Sequence, residues 1–364
     1  MALILGLETS CDETAASVVR DGSLVLSNVV STQHDLHERY GGVVPEIASR
    51  AHLERLLPVV RAAIDEAGMT LDRLDAVAVG NRPGLVGSLI VGASAAKALA
   101  WSLGLPLIGV DHVLAHLYAP ALVNATDQGS ESQAQVRYPA LGLVVSGGHT
   151  SLFLVRSPGD VTLLGRTIDD AVGEAYDKAA VMLKAGYPGG PRLDALAQTG
   201  DGDAHRLPRP LLGPRSLDFS FSGLKTALLY AVRGTPVGRG SSARFERDAD
   251  DLEPRAIADL AASFQQAVVD TLAIKIKRAH KQLAGDGCAV QSLIVGGGVS
   301  ANSLLRSRLT ELSEKLELDL YLPAMSLCVD NAAMIAGLAY ERYARQDFDD
   351  LSLPVVATTS IQAS

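Results

Sequence analysis

Aromatic side chains are scarce, making up 4% of a 364-residue chain in which 48% of residues are hydrophobic. The cores must therefore be packed from Ala, Val, Leu and Ile, the usage of alternating α/β proteins, and broad stacking surfaces for single-stranded nucleic acid are few. Cysteine is equally sparse. Cys11, Cys288 and Cys328 are odd in number, far apart and without CxxC spacing, which argues against a disulfide framework or a cysteine zinc site and makes the cytoplasm the expected compartment. Excess positive charge is missing too. A formal net charge of −9 disfavours a protein that coats nucleic acid, because phosphate binding needs cations. Long apolar runs are absent: the weakly apolar stretch Leu85 to Val110 is broken by Lys97, Pro106 and several glycines, so no membrane span is expected. The start, Met1 to Leu7, carries no basic flank and runs into Glu8, Asp12 and Glu13, which reads as a strand rather than a signal peptide. Neither GxxxxGK[ST] nor GxGxxG occurs, so the P-loop and Rossmann dinucleotide readings fail.

What is present is a repeated pattern on a chain long enough for two domains. Leu3-Leu7 reads as a buried strand, Glu8-Thr14 as a polar turn and Ala15-Val19 as a second strand. Some 140 residues later the pattern recurs as Leu141-Val145, the turn Ser146-Gly147-Gly148-His149-Thr150, and Ser151-Val155. Internal duplication explains two hairpins of one design. Helical patterns at Pro45-Ala67 and Val91-Leu103 flank a strand at Ala76-Val79; Ala256-Gln282 and Asn302-Lys315 flank one at Ser292-Val295. The expected fold is α/β, two lobes with a cleft between them. Asn124-Arg137 and Gly234-Asp251 read as polar insertions, and the tail Asp349-Ser364 as a surface or disordered segment.

His112 and His116 have the i, i+4 spacing that puts two imidazoles on one helix face. Asp330, a carboxylate in an otherwise apolar stretch, is the candidate third ligand for a metal; it could equally cap the helix that starts after it. Strand Ser292-Val295 runs into Gly296-Gly297-Gly298 before a helix, a junction that brings backbone amides close to a phosphate or sugar. The Ser146-Gly147-Gly148 turn offers a second set of amides. Carboxylates follow in Asp169-Asp170 to Asp177 and at Asp194, either ribose ligands or caps and surface charges. Between His205 and Arg247 eight basic residues (Arg206, Arg209, Arg215, Lys225, Arg233, Arg239, Arg244 and Arg247) stand against Asp218 and Glu246, a local cationic face or a solvated loop.

Eight segments in order carry a family resemblance: Gly6 to Thr14 (GLETSCDET), Arg39 to Arg50 (RYGGVVPEIASR), His112 with His116, Ser146 to Thr150 (SGGHT), Gly173 to Lys178 (GEAYDK), Tyr187 to Gly190 (YPGG), Phe219 to Thr226 (FSFSGLKT) and Gly296 to Asn302 (GGGVSAN). From about residue 3 to 345 the chain resembles the bacterial tRNA N6-adenosine threonylcarbamoyltransferases, a glycoprotease-like family. The resemblance implies two duplicated actin-like, Hsp70-like and hexokinase-like lobes around a nucleotide and metal cleft. Residues 1–118 with about 324–346 would form the first lobe, 119–323 the second, and 349–364 a tail. It implies that His112, His116 and Asp330 hold one divalent metal, iron in preference to zinc. Val144, Val145, Ser146, Gly147, Gly148, Asp177, Gly190, Asp194 and Asn302 would line the substrate pocket, with Asp12 and Glu13 beside the metal and the reacting groups. The implied partners are threonylcarbamoyl-AMP, tRNA and two accessory proteins, an inactive paralogue and a small ATPase, with no membrane.

Three other functions compete. A metalloprotease of HxxxH type would need a glutamate directly after the first histidine as general base, and that position is Val113. A sugar kinase or ATPase of the same fold would not need His112 and His116. A non-catalytic scaffold would not need Asp12, His112, His116 and Asp330 together. No Ser-His or Cys-His nucleophile stands out, as expected where an activated acyl donor meets a positioned amine.

Overall fold

The computed structural model describes residues 1–125, 136–238, 244–245 and 247–361. The polar segments at 124–137 and 234–251 therefore lie partly outside the described residues, Arg239 and Glu246 among them.

Two sheets share one strand order. In the first, β1 (Leu3–Glu8), β2 (Glu13–Arg20) and β3 (Leu24–Thr32) form an antiparallel meander, while β4 (Ala76–Arg82) and β5 (Leu107–Asp111) add in parallel beside β1. In the second, β7 (Ala140–Val145), β8 (Thr150–Ser157) and β9 (Asp160–Arg166) repeat the meander, with β10 (Ser292–Gly296) and β11 (Asp319–Tyr321) parallel beside β7. The orders 5-4-1-2-3 and 11-10-7-8-9 are the duplication expected from the two hairpins. The first sheet is extended by β6 (Val123–Asn124), which pairs with β3.

Helices cross between parallel strands, as such connections require. In the first lobe α2 (Pro45–Glu66) leads into β4 and α3 (Val86–Leu103) into β5; in the second α8 (Pro254–Gly285) leads into β10 and α9 (Ser303–Leu316) into β11. Proline opens both α2 and α8, where its missing N–H costs nothing. The buried face of α8 repeats every four residues through Leu260, Phe264, Val268, Leu272 and Ile276. Short α1 (His34–His37) and three helices of the second lobe, α5 (Val172–Met182), α6 (Gly189–Ala197) and α7 (Ser222–Arg233), complete the layers. By length and composition α3 is apolar enough to cross a membrane. Its Leu89, Ala93, Ala96 and Ala100 instead face the first lobe, where Ala96 and Ala100 pack with Leu56 and Val77.

Two further helices are exchanged between the lobes. After β5, α4 (His112–Tyr118) leaves the first sheet and buries Val113 and Leu117 among Ala140, Val144, Phe153 and Ile294 of the second. After β11, α10 (Ala332–Tyr343) returns to bury Ala333, Ile335 and Ala336 among Ile4, Ala76 and Ile108 of the first. Each contact is tight enough to demand glycine. A Cβ on Gly296 would land on the carbonyl oxygen of His116, and one on Gly6 on that of Ala332, both far inside van der Waals contact.

The tail is held against the first lobe. Asp349 exchanges backbone contact with Leu107, Leu353 is buried, Val356 N–H donates to Asn81, and Thr359 and Ser360 donate to the Asp111 carboxylate. A segment without helical periodicity is thus ordered by hydrogen bonds to strand ends.

Candidate metal centre and nucleotide cleft

Asp111 caps α4, accepting from the N–H groups of Val113 and Leu114, and this fixes the register that turns His112 and His116 to one side. The two rings meet edge to face with centroids 4.6 Å apart. Across from them is Asp330, whose Oδ1 lies 3.5 Å from His112 Nε2 and 3.1 Å from His116 Nε2. The alternative role of Asp330 as a helix cap falls away: Asn331 caps α10, accepting from Met334 N–H, and leaves the Asp330 carboxylate pointing at the histidines. Among the described residues the donor atoms of His112, His116 and Asp330 all lie within 4.8 Å of one another.

The electrostatics fit a cation. Burial lowers the affinity of His112 for a proton, yet the Asp330 and Glu8 carboxylates reverse that and hold it well above the ordinary histidine range. His116, equally buried, is pushed down by desolvation. Burial would raise Asp330, but the attraction of His112 takes it well below the usual carboxylate range. Both ring nitrogens of His116 are buried without a hydrogen bond, although Nε2 is close to the Asp330 oxygen. A buried imidazole left unpaired beside a carboxylate is an unsatisfied arrangement in a polypeptide alone, and the three donor atoms are close enough together that they could hold a metal ion.

Sequence reasoning overlooked Glu8. This fully buried carboxylate at the end of β1 accepts from Ser10 N–H and lies 3.1 Å from His112 Nδ1, so it orients the ring from behind as carboxylates do for metal-binding histidines. The available signal was a charge closing a wholly apolar strand. Ser10 Oγ stands 3.2 Å from the same nitrogen.

Asp12 in the first hairpin turn and Glu13 at the start of β2 sit beside this set, near enough for Asp330 to act on Glu13 and Cys11. Burial, then Asp12 and Asp330, push the Glu13 carboxyl well above its ordinary value, and burial with the same charges raises the Cys11 thiol. His34, also unforeseen, faces the pair, its Nε2 3.4 Å from Glu13 Oε1 and 4.0 Å from Asp12 Oδ2. Its ring meets Tyr187 of the second lobe edge to face at 5.8 Å, so the two lobes close around the carboxylates.

The second hairpin turn faces the metal set as well: the His149 ring is 6.5 Å from that of His112, and burial followed by repulsion from His112 and His116 lowers His149 to about 4. Ser146 N–H donates to the His149 carbonyl and Ser146 Oγ accepts from His149 N–H, which tightens the turn. A Cβ on Gly147, Gly148, Gly190 or Gly298 would meet nothing within 4 Å, so these backbones border open space. Gly297 differs: with φ +95° its Cβ would point at the Val145 carbonyl. Val144 and Val145, read from the resemblance as pocket residues, are fully buried within the sheet, so neither presents a surface to a ligand.

Asp177, Asp194 and Asn302 each have a partner within the second lobe. Asp177 accepts from Gly189 N–H at 2.8 Å, and burial raises it despite that bond. Asp194 accepts from Ser303 N–H and Oγ and from Gln265 Nε2. Asn302 caps α9 and donates to Gln265 Oε1 at 2.9 Å. Buried Gln265, for which the sequence offered no signal, therefore ties α6, α8 and α9 around these positions. Part of the cationic stretch is neutralised within the fold: Arg209 pairs with Asp270, Lys225 with Asp170 and Arg233 with Asp248, while Arg247 donates to the carbonyls of Ala231 and Val232.

Residues 24–337 match the family described as tRNA N6-adenosine threonylcarbamoyltransferase. The chain belongs to that family. A member from Trichlorobacter lovleyi is 50% identical over 98% of this chain and 96% of its own length, and one from Thermosipho africanus is 43% identical over 99% and 100%. The family is one of transferases, and this chain is accordingly an enzyme of the acyltransferase class. Among solved structures, the (R)-2-hydroxyglutaryl-CoA dehydratase component A of Acidaminococcus fermentans is 12% identical, covers 94% of this chain and 100% of its own, and superposes with a TM-score of 0.51. That likeness shows the fold alone, the two-lobed actin-like architecture.

Proposed function

We propose that this threonylcarbamoyltransferase family member transfers the threonylcarbamoyl group from threonylcarbamoyl-AMP to N6 of the adenosine just 3′ of the anticodon, in tRNAs reading codons that begin with adenosine. The observation that carries the reading is the convergence, at one cleft, of His112, His116 and Asp330 with backbone bordering open space at Gly147, Gly148, Gly190 and Gly298. Backbone amides at the two glycine turns hold the adenylate phosphate. Asp177, Asp194 and Asn302 bind its ribose or base. Two imidazoles and one carboxylate with open positions suit mononuclear iron(II) better than a closed zinc site. When bound, such an ion supplies Lewis-acid stabilisation of the developing negative charge.

The chain's own residues position the amine and take its proton. The N6 nitrogen attacks the carbamoyl carbon, a C–N bond forms, the mixed-anhydride C–O bond breaks, and AMP leaves with the bonding pair. The proton released from nitrogen passes to the Asp12 and Glu13 carboxyl pair, where burial and the neighbouring carboxylates raise the affinity of Glu13 for a proton. A protease reading lacks its base at Val113, and a kinase leaves the histidine pair without work.

A tRNA substrate supports a cytoplasmic site of action. Accessory proteins, an inactive paralogue and a small ATPase, are part of the proposal. Leu53 and Leu57 on α2 and Val86 and Ile90 on α3 are exposed on two helices that pack together, apolar surface of the kind that partners cover. The test is His112→Ala with His116→Ala in a strain lacking the native gene. Nucleoside mass spectrometry should show loss of N6-threonylcarbamoyladenosine, and elemental analysis should show loss of metal from a folded protein. Normal modification by the double variant, or stoichiometric metal retained in it, overturns the reading.

A further inference from the structure

In a chain so poor in aromatics, an aromatic ring left in solvent beside the cleft needs a reason. Tyr40 is 53% exposed, and the Arg39 guanidinium lies over its ring, 4.8 Å from the centroid. Among the described residues a second such pair exists, Arg233 over Phe245, but Arg233 is also bound to Asp248. Arg39 has no carboxylate partner among them, so its charge is not neutralised, and Tyr40 beneath it keeps half of its surface in solvent.

The pair is mounted on the catalytic turn. Glu13 pairs with Thr32 at the end of β3, and Gln33 N–H donates to the Asp12 carbonyl. The chain then runs through α1, whose first residue, His34, faces Asp12 and Glu13, into a 3-10 turn over Glu38–Tyr40. Buried His37 anchors this turn from below, its Nε2 3.3 Å from Gln33 Oε1 and its Nδ1 accepting from Val44 N–H. Four residues of α-helix and three of 3-10 helix advance roughly 12 Å, the length of three or four stacked nucleotides at about 3.4 Å each.

We infer that Arg39 and Tyr40 form a stacking platform for a nucleobase of single-stranded RNA flanking the one seated in the cleft. This rests on the tRNA reading above and names a specificity element for that substrate. An exposed tyrosine stacks bases without regard to sequence, and a guanidinium over the ring adds cation–π and phosphate attraction. On a surface of net negative charge, such a local pair is what lets RNA bind at the cleft mouth. Both side chains are exposed, so their replacement does not threaten the fold.

The test measures binding of a fluorescent anticodon stem–loop to the full chain by anisotropy, together with N6 modification of the intact tRNA by the chain supplied with its accessory proteins. Tyr40→Ala should weaken stem–loop binding at least about fivefold, the lower end of what loss of a stacking aromatic costs, and raise the tRNA KM with little change in kcat. Tyr40→Trp should restore both, and Arg39→Gln should reduce the dependence of binding on salt. Affinity for the adenylate should be the same in all three. Stem–loop binding unchanged by Tyr40→Ala overturns the platform, as does failure of the wild-type chain to bind. Loss of accessory-protein assembly with stem–loop binding intact makes the pair a protein contact and also overturns it. Wild-type binding that depends on Tyr40 without N6 modification would leave the platform standing and reject the proposed reaction instead.

Discussion

Gly296→Ala tests whether the fold builds the proposed metal centre by forcing α4 onto the end of β10. The added methyl would collide with the His116 carbonyl oxygen, with the His116 carbon skeleton close behind it. Backbone cannot rotate away as a flexible side chain does, so the cost belongs at the upper end for overpacking, about 3 kcal/mol. The alanine restricts the unfolded chain and returns less than about 1 kcal/mol. The net loss is then ~2 kcal/mol, or about thirtyfold in the folded-to-unfolded ratio. The relief available to the protein is to lift α4 off the sheet, which carries His116 away from Asp330. Urea unfolding should show the destabilisation, and metal titration should show weakened binding in the same variant. Gly298→Ala is the control, because its methyl meets nothing within 4 Å and should leave stability unchanged. Wild-type stability together with wild-type metal affinity in Gly296→Ala would refute the account of how the two helices are held.

Two further outcomes are expected. Gly148→Val should reduce adenine nucleotide binding at least about tenfold, some 1.4 kcal/mol, by filling open space without unfolding the protein, whereas Gly297→Val should destabilise the fold itself, because φ is +95° and the side chain meets the Val145 carbonyl; calorimetry with AMP and thermal unfolding separate the two, and undiminished AMP affinity in Gly148→Val would remove the phosphate from that turn. Stability should also fall as pH drops from 6.5 toward about 4: burial and the nearby histidines depress His149 in the folded state from 6.5 to about 4, so the unfolded chain takes up a proton that the folded one refuses. His149→Gln should flatten that part of the pH profile, and an unchanged slope would show that His149 does not titrate as its surroundings dictate.

Much of this architecture was legible in the sequence because periodicity and glycine turns are local properties. The hairpins at Leu3 and Leu141 and the long helix beginning near Pro254 appear within a residue or two of their read positions. Helix α3 begins at Val86, earlier than its pattern suggested, because Gly87 and Ser88 are placed by close packing against Ser49 and Thr9 rather than by propensity. Strands β3 and β9 escaped notice since only some of their residues are buried. In the site, His112 and His116 announced themselves by spacing. Glu8, His34 and Gln265 did not, because each acts through a partner at least twenty residues away, and no spacing encodes such a meeting. The reading of Asp330 was ambiguous for a local reason, its neighbour Asn331 being the better cap.

The exchange of α4 and α10 between the lobes has a consequence for assembly. His112 and His116 leave the ribosome more than two hundred residues before Asp330. Even after Asp330 emerges, its position depends on α10 docking against the first sheet, while theirs depends on α4 docking against the second. A partly synthesised chain therefore holds only a pair of imidazoles, a weak and unselective ligand. The three-residue pocket comes into being only when both lobes have folded and traded helices, so the ion site proposed above would form late and report that construction is complete.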